Sequence, residues 1–445
     1  MSFHPNHINP SLLTPAEEEE PLTMVQSEPK SKSADRTLLL SDELLLRVFS
    51  KLPDWQRNPN SVVCKRWLTL TGRMVRTLRL LDWNFILSGR LTHRFPNLTH
   101  LDLVPAAFSS PKNSGILLSH KLLSMHVDSD WCFSHRNLLP PETLDLGLRT
   151  LAAASPNLRA LSLAAATEAA LSALAARCPT LQDLELHSCH DAVLRAAAAC
   201  RNLQILKLVG TVTGFYESVV SDIGLTILAQ GCRRLVKLEL VGCEGSFDGV
   251  KAIGQCCVML EELVVVDHRM DDGWLAGVSF CENLKTLRVQ SCRVIDGNPG
   301  LEEHLGCCET LQRLHLQKCQ LRDRNSVAAL FSVCRNAREI VLQDCWGLDD
   351  GTLSFAVICR RVKLFYVEGC SLLTTEGLES LIESWKELEC LRVVSCKNIK
   401  DSDISPALAT LFSTLKELKW RPDTKYLFPS DVGIFMGKKG GKFFK

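Results

Sequence analysis

A short motif built on leucine and cysteine returns along most of this chain at nearly constant spacing. Copies with the sequences CPTLQDLELHSC, CRRLVKLELVGC and CETLQRLHLQKC begin at Cys178, Cys232 and Cys308, and from Cys232 onward successive copies begin 24 to 27 residues apart. The leucines alternate with polar residues, which is typical of a strand with one buried face. Such a unit cannot bury its apolar side alone, so the copies must stack into one continuous core.

The segments that follow several copies, such as SDIGLTILAQGC and TTEGLESLIESW, have apolar residues at helical spacing after a Ser, Thr or Asp start. Strand and helix together match the leucine-rich repeat pattern L-x-x-L-x-L-x-x-N/C-x-L and resemble its cysteine-containing class. This pattern predicts an α/β leucine-rich-repeat solenoid, a horseshoe, of about 12–14 repeats over residues 75–425. MVRTLRLLDW fits its opening half-repeat.

Fifteen of the twenty cysteines fall into two rows that the repeat defines. Eight begin a unit, and seven close the turn after a strand, where a thiol can hydrogen-bond backbone groups weakly. No two cysteines have the Cys-x-x-Cys spacing of a zinc site, and no cysteine is marked out as a nucleophile with its own base. We therefore expect no metal, no cofactor and no catalytic residue, in a protein that is not itself an enzyme.

The charge balance and hydropathy exclude several classes of partner. The formal net charge is +1, which gives no reason to expect nucleic acid or an anionic membrane surface. No stretch of about twenty residues is apolar and uncharged enough to span a membrane. The N-terminus lacks the basic and apolar pattern of a secretory signal, so we expect reduced thiols and a location in the cytoplasm, the nucleus or both.

Two places break the repeat. Between Leu103 and Leu158 there is room for an extra unit, with HKLLSMHVD as its candidate strand. The second break is the insertion Thr211–Ser218, with Phe215 and Tyr216 at its tip. Insertions in solenoids lie on one rim and often contact ligands, so these two aromatic residues are candidate substrate contacts; the alternative is that they fold back onto their own repeat.

The two ends of the chain lie outside the repeats. Residues 1–36 are polar with an acidic run at Glu17–Glu20, and they are predicted to be a disordered tail, either solvated or regulatory. Residues 426–445 have lost the repeat and are predicted to form a C-terminal cap and a basic tail. The cap residues are Leu427, Phe428, Ile434 and Phe435, and the basic residues are Lys438, Lys439 and Lys442. The basic residues suit either a solvated end or nuclear import.

Residues 37–74 form a different kind of module before the repeats. Ser41 is a good N-cap for a helix that runs to about Lys51, and a second helix is predicted from Asn60 to Leu70. The helix in SDELLLRVFSKLP carries more apolar residues than one buried stripe requires. A module of fewer than about forty residues rarely folds securely alone, so part of its apolar surface is expected to meet another chain.

The module resembles the F-box. The residues LSDELL from Leu40, VFSKLP from Val48 and VCKRW from Val63 fit the F-box pattern L-P-x-E-[LI]-[LI]-x-x-[IV]-[FL]-x-x-L followed by V-C-[KR]-x-W, with Ser41 at the usual proline position. Together with the repeats, this resembles F-box proteins with leucine-rich repeats, above all the plant members. The resemblance implies a substrate-recognition subunit of a Skp–cullin–F-box ubiquitin ligase, which acts in ubiquitin-dependent protein degradation.

In that family the F-box binds a Skp-type adaptor, and through it cullin and RING subunits, while the repeats bind a protein substrate. Carried onto this sequence, the resemblance implies adaptor contacts by Leu40, Leu44, Leu45, Val48, Leu52, Pro53, Val63, Cys64 and Trp67. Phe49 can instead fill the core of the module. Core packing is the alternative for every residue of the set, but the module is too small to bury all of them.

The outward positions of the strands are expected to line the concave face of the solenoid. In its later half these positions are basic and aromatic, which suggests a patch for an acidic or phosphorylated substrate segment. The patch residues are Arg288, Arg313, His315, Tyr366 and Arg392. The alternative is an ordinary solvated row. Two other functions stay open, a repeat scaffold or inhibitor that works without a ligase and a sensor of a small, hormone-like molecule.

Overall fold

The computed structural model describes residues 35–53, 56, 59–108, 116–117, 137–210, 219–267, 269–270, 273–300 and 305–422. The chain divides into two compact units, Met1–Leu52 and Pro53–Lys445. The predicted module 37–74 therefore extends over both units. The predicted N-terminal tail, apart from its last two residues, and the predicted C-terminal cap and basic tail lie outside the described residues.

The described residues of the first unit form a 3₁₀ turn, Arg36–Leu39, and a helix, α1, at Asp42–Lys51. The side chain of Ser41 accepts the N–H of Leu44 at 3.3 Å, so the predicted N-cap and helix are confirmed. Leu45 and Phe49, four residues apart, are the buried residues of α1. The surplus apolar residues at positions 44 and 48 are exposed.

Near its start the second unit has helical residues at 59–60, a turn at 61–63 and helix α2 at Lys65–Met74. The prediction of a helix over Asn60–Leu70 was wrong in its limits. Cys64 has an extended backbone, and its Sγ accepts the N–H of Trp67 at 3.5 Å, so Cys64 caps a helix that begins five residues later than expected. Cys64, predicted from the F-box resemblance as an adaptor contact, thus also has a structural role at the start of α2.

The core of the second unit is one sheet of thirteen parallel strands, which confirms the predicted leucine-rich-repeat solenoid of 12–14 repeats. These strands are β1 (Thr77–Leu80), β2 (His100–Asp102), β4 (Ala160–Ala164), β5 (Asp183–His187), β6 (Ile205–Val209), β7 (Lys237–Val241), β9 (Glu262–Val266), β11 (Thr286–Gln290), β12 (Arg313–Gln317), β13 (Glu339–Gln343), β14 (Leu364–Glu368), β15 (Cys390–Val394) and β16 (Glu417–Arg421). Two short strands, β8 (Glu244–Gly245) and β10 (Arg269–Met270), pair with each other outside this sheet.

The leucines of the motif are buried in register from strand to strand. Leu184, Leu206, Leu238 and Leu263 follow one another on four adjacent strands, and all are buried. They pack in one continuous apolar cluster with residues of the helices between the strands. Each repeat therefore depends on its neighbours for its core, as expected of a solenoid.

Helices of varying length connect the strands. They are α3 (Asn84–Leu87), α4 (Arg90–Arg94), α5 (Pro141–Ala154), α6 (Glu168–Arg177), α7 (Asp191–Ala197), α8 (Asp222–Gly231), α9 (Phe247–Cys256), α10 (Trp274–Val278), α11 (Arg324–Val333), α12 (Asp350–Leu353), α13 (Thr375–Glu383) and α14 (Pro406–Thr414). Three 3₁₀ turns accompany them, Pro105–Ala107, Ser354–Ile358 and Asp401–Asp403. Residues 291–300 and 305–312, between β11 and β12, contain no helix.

The helix starts of neighbouring repeats are tied together by carboxylates. The side chain of Asp222, the first residue of α8, accepts the N–H of Ser246 at 2.7 Å and its hydroxyl at 2.6 Å, and Ser246 is the N-cap of α9. Asp191 binds the N-cap Ser221 of α8 in the same way. The capping residue of one helix is therefore held by a carboxylate of the helix before it.

A residue with left-handed backbone follows most strands. Ser291, Lys318 and Asp344 have φ between 52° and 56°, which other residues than glycine adopt only when their surroundings hold them. Here the N–H of each donates to the carbonyl of the last residue of the next strand, at 2.8 Å in all three cases. The thiol of the next cysteine adds a second bond, as Cys319 does to the carbonyl of Val289 at 3.3 Å.

The prediction of an extra repeat between Leu103 and Leu158 was wrong. The candidate strand HKLLSMHVD, residues 120–128, lies outside the described residues. β2 pairs directly with β4, with Leu101 opposite Leu161, so no repeat strand stands between these two in the sheet. The inserted chain instead supplies β3 (Ile116–Leu117), which pairs antiparallel with β1 at the end of the sheet, and then returns through α5. Strand order in the sheet depends on tertiary pairing, which a weak local pattern cannot reveal.

Candidate protein-binding surface

The face of the sheet opposite the leucine rows, called here the open face, presents the outward residues of the strands. Its central row is Arg79, Asp102, Ser162, Glu185, Lys207, Glu239, Val264, Arg288, His315, Val341, Tyr366, Arg392 and Lys419. Each neighbouring pair is in direct register, as the repeat spacing predicts. A ligand on this face would therefore meet a regular row of side chains, one from each repeat.

The first half of the central row contains two groups of paired opposite charges. Arg79 Nε lies 3.2 Å from Asp102 Oδ2, a close ion pair without hydrogen-bond geometry. Further along, Lys207 Nζ lies 3.0 Å from Glu185 Oε1 and 3.5 Å from Glu239 Oε1. These charges already compensate one another, so this half of the face offers little attraction to a charged ligand.

Two carboxylates on β5 have pKa values displaced in opposite directions. Burial raises the pKa of Glu185, but the hydrogen bond and charge of His187 and the charge of Lys207 outweigh burial and lower it to about 2. Burial, and then the neighbouring charge of Glu185, raise the pKa of Asp183 to about 6. On β5, therefore, the surroundings stabilise the negative charge of Glu185 and destabilise that of Asp183, two residues away.

This difference predicts opposite effects of neutral substitutions on stability. A raised folded-state pKa means that Asp183 contributes stability at low pH, which is lost as the pH rises from about 4 to about 6. Asp183→Asn should therefore raise the free energy of unfolding at pH 7.5 by about 1 kcal/mol, allowing for partial solvation, with the gain absent near pH 4. Denaturant unfolding at both pH values measures it.

Glu185→Gln is the matched variant. The lowered pKa of Glu185 means that its contribution is present above its ordinary pKa and is lost as the pH falls towards about 2, so this variant should be less stable at pH 7.5. If both variants changed the free energy of unfolding in the same direction at pH 7.5, the opposite displacements of the two pKa values would be contradicted.

The five predicted substrate residues of the later half lie together on β11, β12, β14 and β15, but their cations already have partners. Arg288 Nε lies 3.2 Å from Glu262 Oε1. Arg392 Nε donates to Glu417 Oε1 at 3.0 Å, and Arg392 Nη2 lies 2.9 Å from the same oxygen. His315 Nε2 lies 3.2 Å from Glu339 Oε1. Arg313 Nε donates to the hydroxyl of Thr286 at 2.9 Å, and the hydroxyl of Tyr366 donates to Glu368. The cluster is a mixed-charge surface, and an acidic ligand would have to exchange these internal pairs.

The residues that the F-box resemblance assigns to an adaptor differ widely in exposure. Leu44 and Val48 are 48% and 51% exposed on α1, whereas Leu45 is only 2% exposed. Leu40, Pro53, Val63 and Cys64 are exposed, and Leu52 and Trp67 are half-buried. Leu45 therefore offers no surface to a partner in this conformation. Phe49, expected to fill the module's own core, is buried.

The other predicted features are only partly described. Phe215 and Tyr216 lie outside the described residues. Of the two cysteine rows, all fifteen members are buried, and burial raises the pKa of the Cys200, Cys232 and Cys257 thiols to about 12. Such thiols are poor nucleophiles at neutral pH.

In the part of the chain that the structure describes, no group of three or more His, Cys, Asp or Glu is arranged to hold a metal ion. None of the helices there has the length and apolar character needed to cross a bilayer.

Two surface features escaped the sequence analysis. Trp346, in the turn after β13, is 63% exposed although its backbone is held by hydrogen bonds to the neighbouring turn. A pocket lined by basic residues lies between α2 and α4. The distribution of charge could have indicated the pocket. Residues 59–99 contain seven Lys or Arg but only one acidic residue, an Asp, whereas the whole chain has 51 Lys or Arg and 50 Asp or Glu.

Comparisons with known proteins give structural likeness at low sequence identity. No family model matches the sequence. The chain is similar to an internalin of Listeria monocytogenes, at 19% identity with a TM-score of 0.38 over 60% of this chain and 69% of that chain. It is also similar to mouse RP105, solved with MD-1, at 20% identity with a TM-score of 0.38 over 58% of this chain and 42% of that chain. A third similarity is to the yeast Rad7 and Elc1 complex, at 12% identity with a TM-score of 0.33 over 85% of this chain and 93% of that chain.

Proposed function

We propose that this chain is the substrate receptor of a Skp–cullin–F-box type ubiquitin ligase. In this role, residues 37–74 bind a Skp-type adaptor, which connects the chain to cullin and RING subunits. The open face and its rim bind the protein to be ubiquitinated and degraded. The chain itself is a non-catalytic subunit.

One observation supports the adaptor contact beyond the motif resemblance. Eighteen large apolar side chains are exposed among the described residues, and five of them lie within residues 38–48 of the first unit. These five are Leu38, Leu39, Leu40, Leu44 and Val48; in the second unit, Val62 and Val63 are exposed next to each other. Such a concentration of exposed apolar residues in so short a segment is typical of an interaction site.

The adaptor contact predicts a strong effect of charge on the exposed side of α1. Leu44→Asp and Val48→Asp should each weaken co-purification with a Skp-type adaptor at least about tenfold, because burying an unpaired carboxylate in an apolar interface is costly. Both side chains are exposed, so the thermal unfolding midpoint should stay close to that of the wild type. Leu45 is unsuitable for this test because its replacement by Asp would disturb the buried side of the helix.

Ile223→Asp is the matched control, since Ile223 is an exposed apolar residue on helix α8 of the repeats. It should leave adaptor binding unchanged. No association of the wild-type chain with any Skp-type adaptor would refute the proposal and favour a scaffold or inhibitor that works without a ligase.

The substrate can be sought with the same variants. Proximity labelling with and without proteasome inhibition should enrich proteins near the wild-type chain that accumulate when degradation is blocked. With Val48→Asp, a true substrate should still be labelled, because the repeats are intact, but its level should no longer depend on the proteasome inhibitor. A melting-temperature shift caused by a small molecule would instead favour the sensor function.

A further inference from the structure

The second unit contains a pocket of about 600 Å³ between helix α2 and the segment that carries α3 and α4. Its lining residues are Lys65, Leu68, Thr69, Phe85, Ser88, Gly89, Arg90, His93 and Arg94. The lining combines two large apolar side chains, Leu68 and Phe85, with the four basic side chains of Lys65, Arg90, His93 and Arg94. The volume lies within the range of ligand-binding clefts.

The elements around this pocket are held closely together. A side chain at Gly72 of α2 would place its Cβ 2.1 Å from the carbonyl oxygen of Arg94, so this glycine allows the backbone of α2 to approach α4. The side-chain amide of Asn97 also donates to the carbonyl of Arg73 at 2.8 Å. The pocket is therefore a built feature of the packing between these helices.

The positive charge of the pocket has no internal counter-charge. In the part of the chain that the structure describes, Lys65, Arg90, His93 and Arg94 form no ion pair. Arg94 lies over the ring of its neighbour Phe95, and its Nε is buried without a hydrogen-bond acceptor. A buried donor of this kind gains free energy when an acceptor is supplied from outside.

This distinguishes the pocket from the open face. There, Arg288, His315 and Arg392 each have a carboxylate within 3.2 Å. An anion binding on the open face must displace a protein carboxylate, whereas an anion in the pocket meets donors that are not engaged. A lining that combines unengaged positive charge with apolar side chains is complementary to a ligand that carries acidic groups beside an apolar one.

We propose that this pocket is a docking site for an acidic segment of another protein. An apolar side chain of the segment would lie against Leu68 and Phe85, and neighbouring carboxylate or phosphate groups would bind the guanidinium groups of Arg90 and Arg94. A peptide fits better than nucleic acid, because the cations surround one concavity rather than a tract, and the whole chain has a net charge of only +1. The pocket shares helix α2 with the segment proposed to bind the adaptor, but its lining contains none of the nine residues named as adaptor contacts.

The experiment uses the full chain and fluorescein-labelled peptides. The probe is Ser-Leu-Glu-Glu-Leu-Glu-Glu-Ser, with one counterpart in which Gln replaces Glu and another in which phosphoserine replaces Glu. Fluorescence anisotropy should show that the Glu or the phosphoserine peptide binds at least about tenfold more tightly than the Gln peptide. Binding should also weaken as salt is raised from about 50 to about 300 mM. The tighter of the two anionic peptides identifies the source of the negative charge.

Charge reversal locates the site. Arg90→Glu and Lys65→Glu should each weaken binding of the anionic peptide at least about tenfold, and both residues are exposed, so folding should be unaffected. Arg201→Glu, at another exposed arginine in the turn before β6, changes the net charge equally and should have no effect. The proposal is overturned by equal binding of the Glu, phosphoserine and Gln peptides, by equal effects of Arg90→Glu and Arg201→Glu, or by tighter binding of an octathymidylate.

Discussion

Trp274→Ala is expected to be among the most destabilising single substitutions in the repeats, lowering the free energy of unfolding by about 3–5 kcal/mol. The side chain of Trp274 is completely buried in the short helix α10, and its Nε1 donates to the carbonyl of Ile295 in the next repeat. Truncation removes a large apolar volume and leaves that carbonyl without its donor. Denaturant unfolding followed by circular dichroism measures the change.

Two further tryptophan variants separate the causes. Trp274→Phe keeps most of the volume but removes the donor, so it should cost about 1–3 kcal/mol. Trp346→Ala, at the exposed tryptophan, should change stability by less than about 0.5 kcal/mol. Equal losses for Trp274→Ala and Trp346→Ala would mean that the buried position assigned to Trp274 is incorrect.

Gly249→Ala is expected to lower the free energy of unfolding by about 2–3 kcal/mol, although alanine normally favours a helix over glycine. A Cβ at this position would lie 2.3 Å from Asp222 Oδ1. That oxygen accepts the N–H of Gly249 at 2.9 Å, and the carboxylate also holds both donors of Ser246. The carboxylate must move, and the tie between the starts of α8 and α9 is then lost.

The chain provides controls for this prediction. At Gly351 of α12 a Cβ would meet Asp349 Oδ1 at an ordinary 3.5 Å, so Gly351→Ala should be neutral or stabilising by up to about 1 kcal/mol. In an Asp222→Ala background the carboxylate that the new Cβ would overlap is gone. Gly249→Ala should therefore lower the free energy of unfolding much less than it does in the wild type. Additive losses in this double-mutant cycle would show that the carboxylate is not the cause.

The repeat allowed the register of the sheet to be predicted residue by residue. Because the motif keeps one phase over thirteen strands, the outward row from Arg79 to Lys419 follows directly from the alternation of leucines. The start of α1 was equally predictable, since Ser41 and the acidic residues after it act locally. Both predictions depend on short-range rules that the sequence displays directly.

Features that depend on neighbours were harder to predict. The basic patch was expected mainly from the central row, to which only Arg313 was added from a first outward position. Glu262, Glu339 and Glu417 also stand at first outward positions of adjacent strands, and they reach Arg288, His315 and Arg392 diagonally. Which leucines of α1 are buried depends on what packs against it. The pocket was missed because its charges come from separate helices that only tertiary packing brings together.

The short strand β3 has a consequence for self-association. An edge strand presents unpaired N–H and carbonyl groups to which another chain can add, which is a common start of aggregation. β3 occupies that position on β1, so at this end a foreign strand would first have to displace a segment of the same chain. At the opposite end, β16 carries Glu417, Lys419 and Arg421 on alternate residues, and such charges discourage strand addition. The long parallel sheet is thus protected at one end by a strand of its own and at the other by charge.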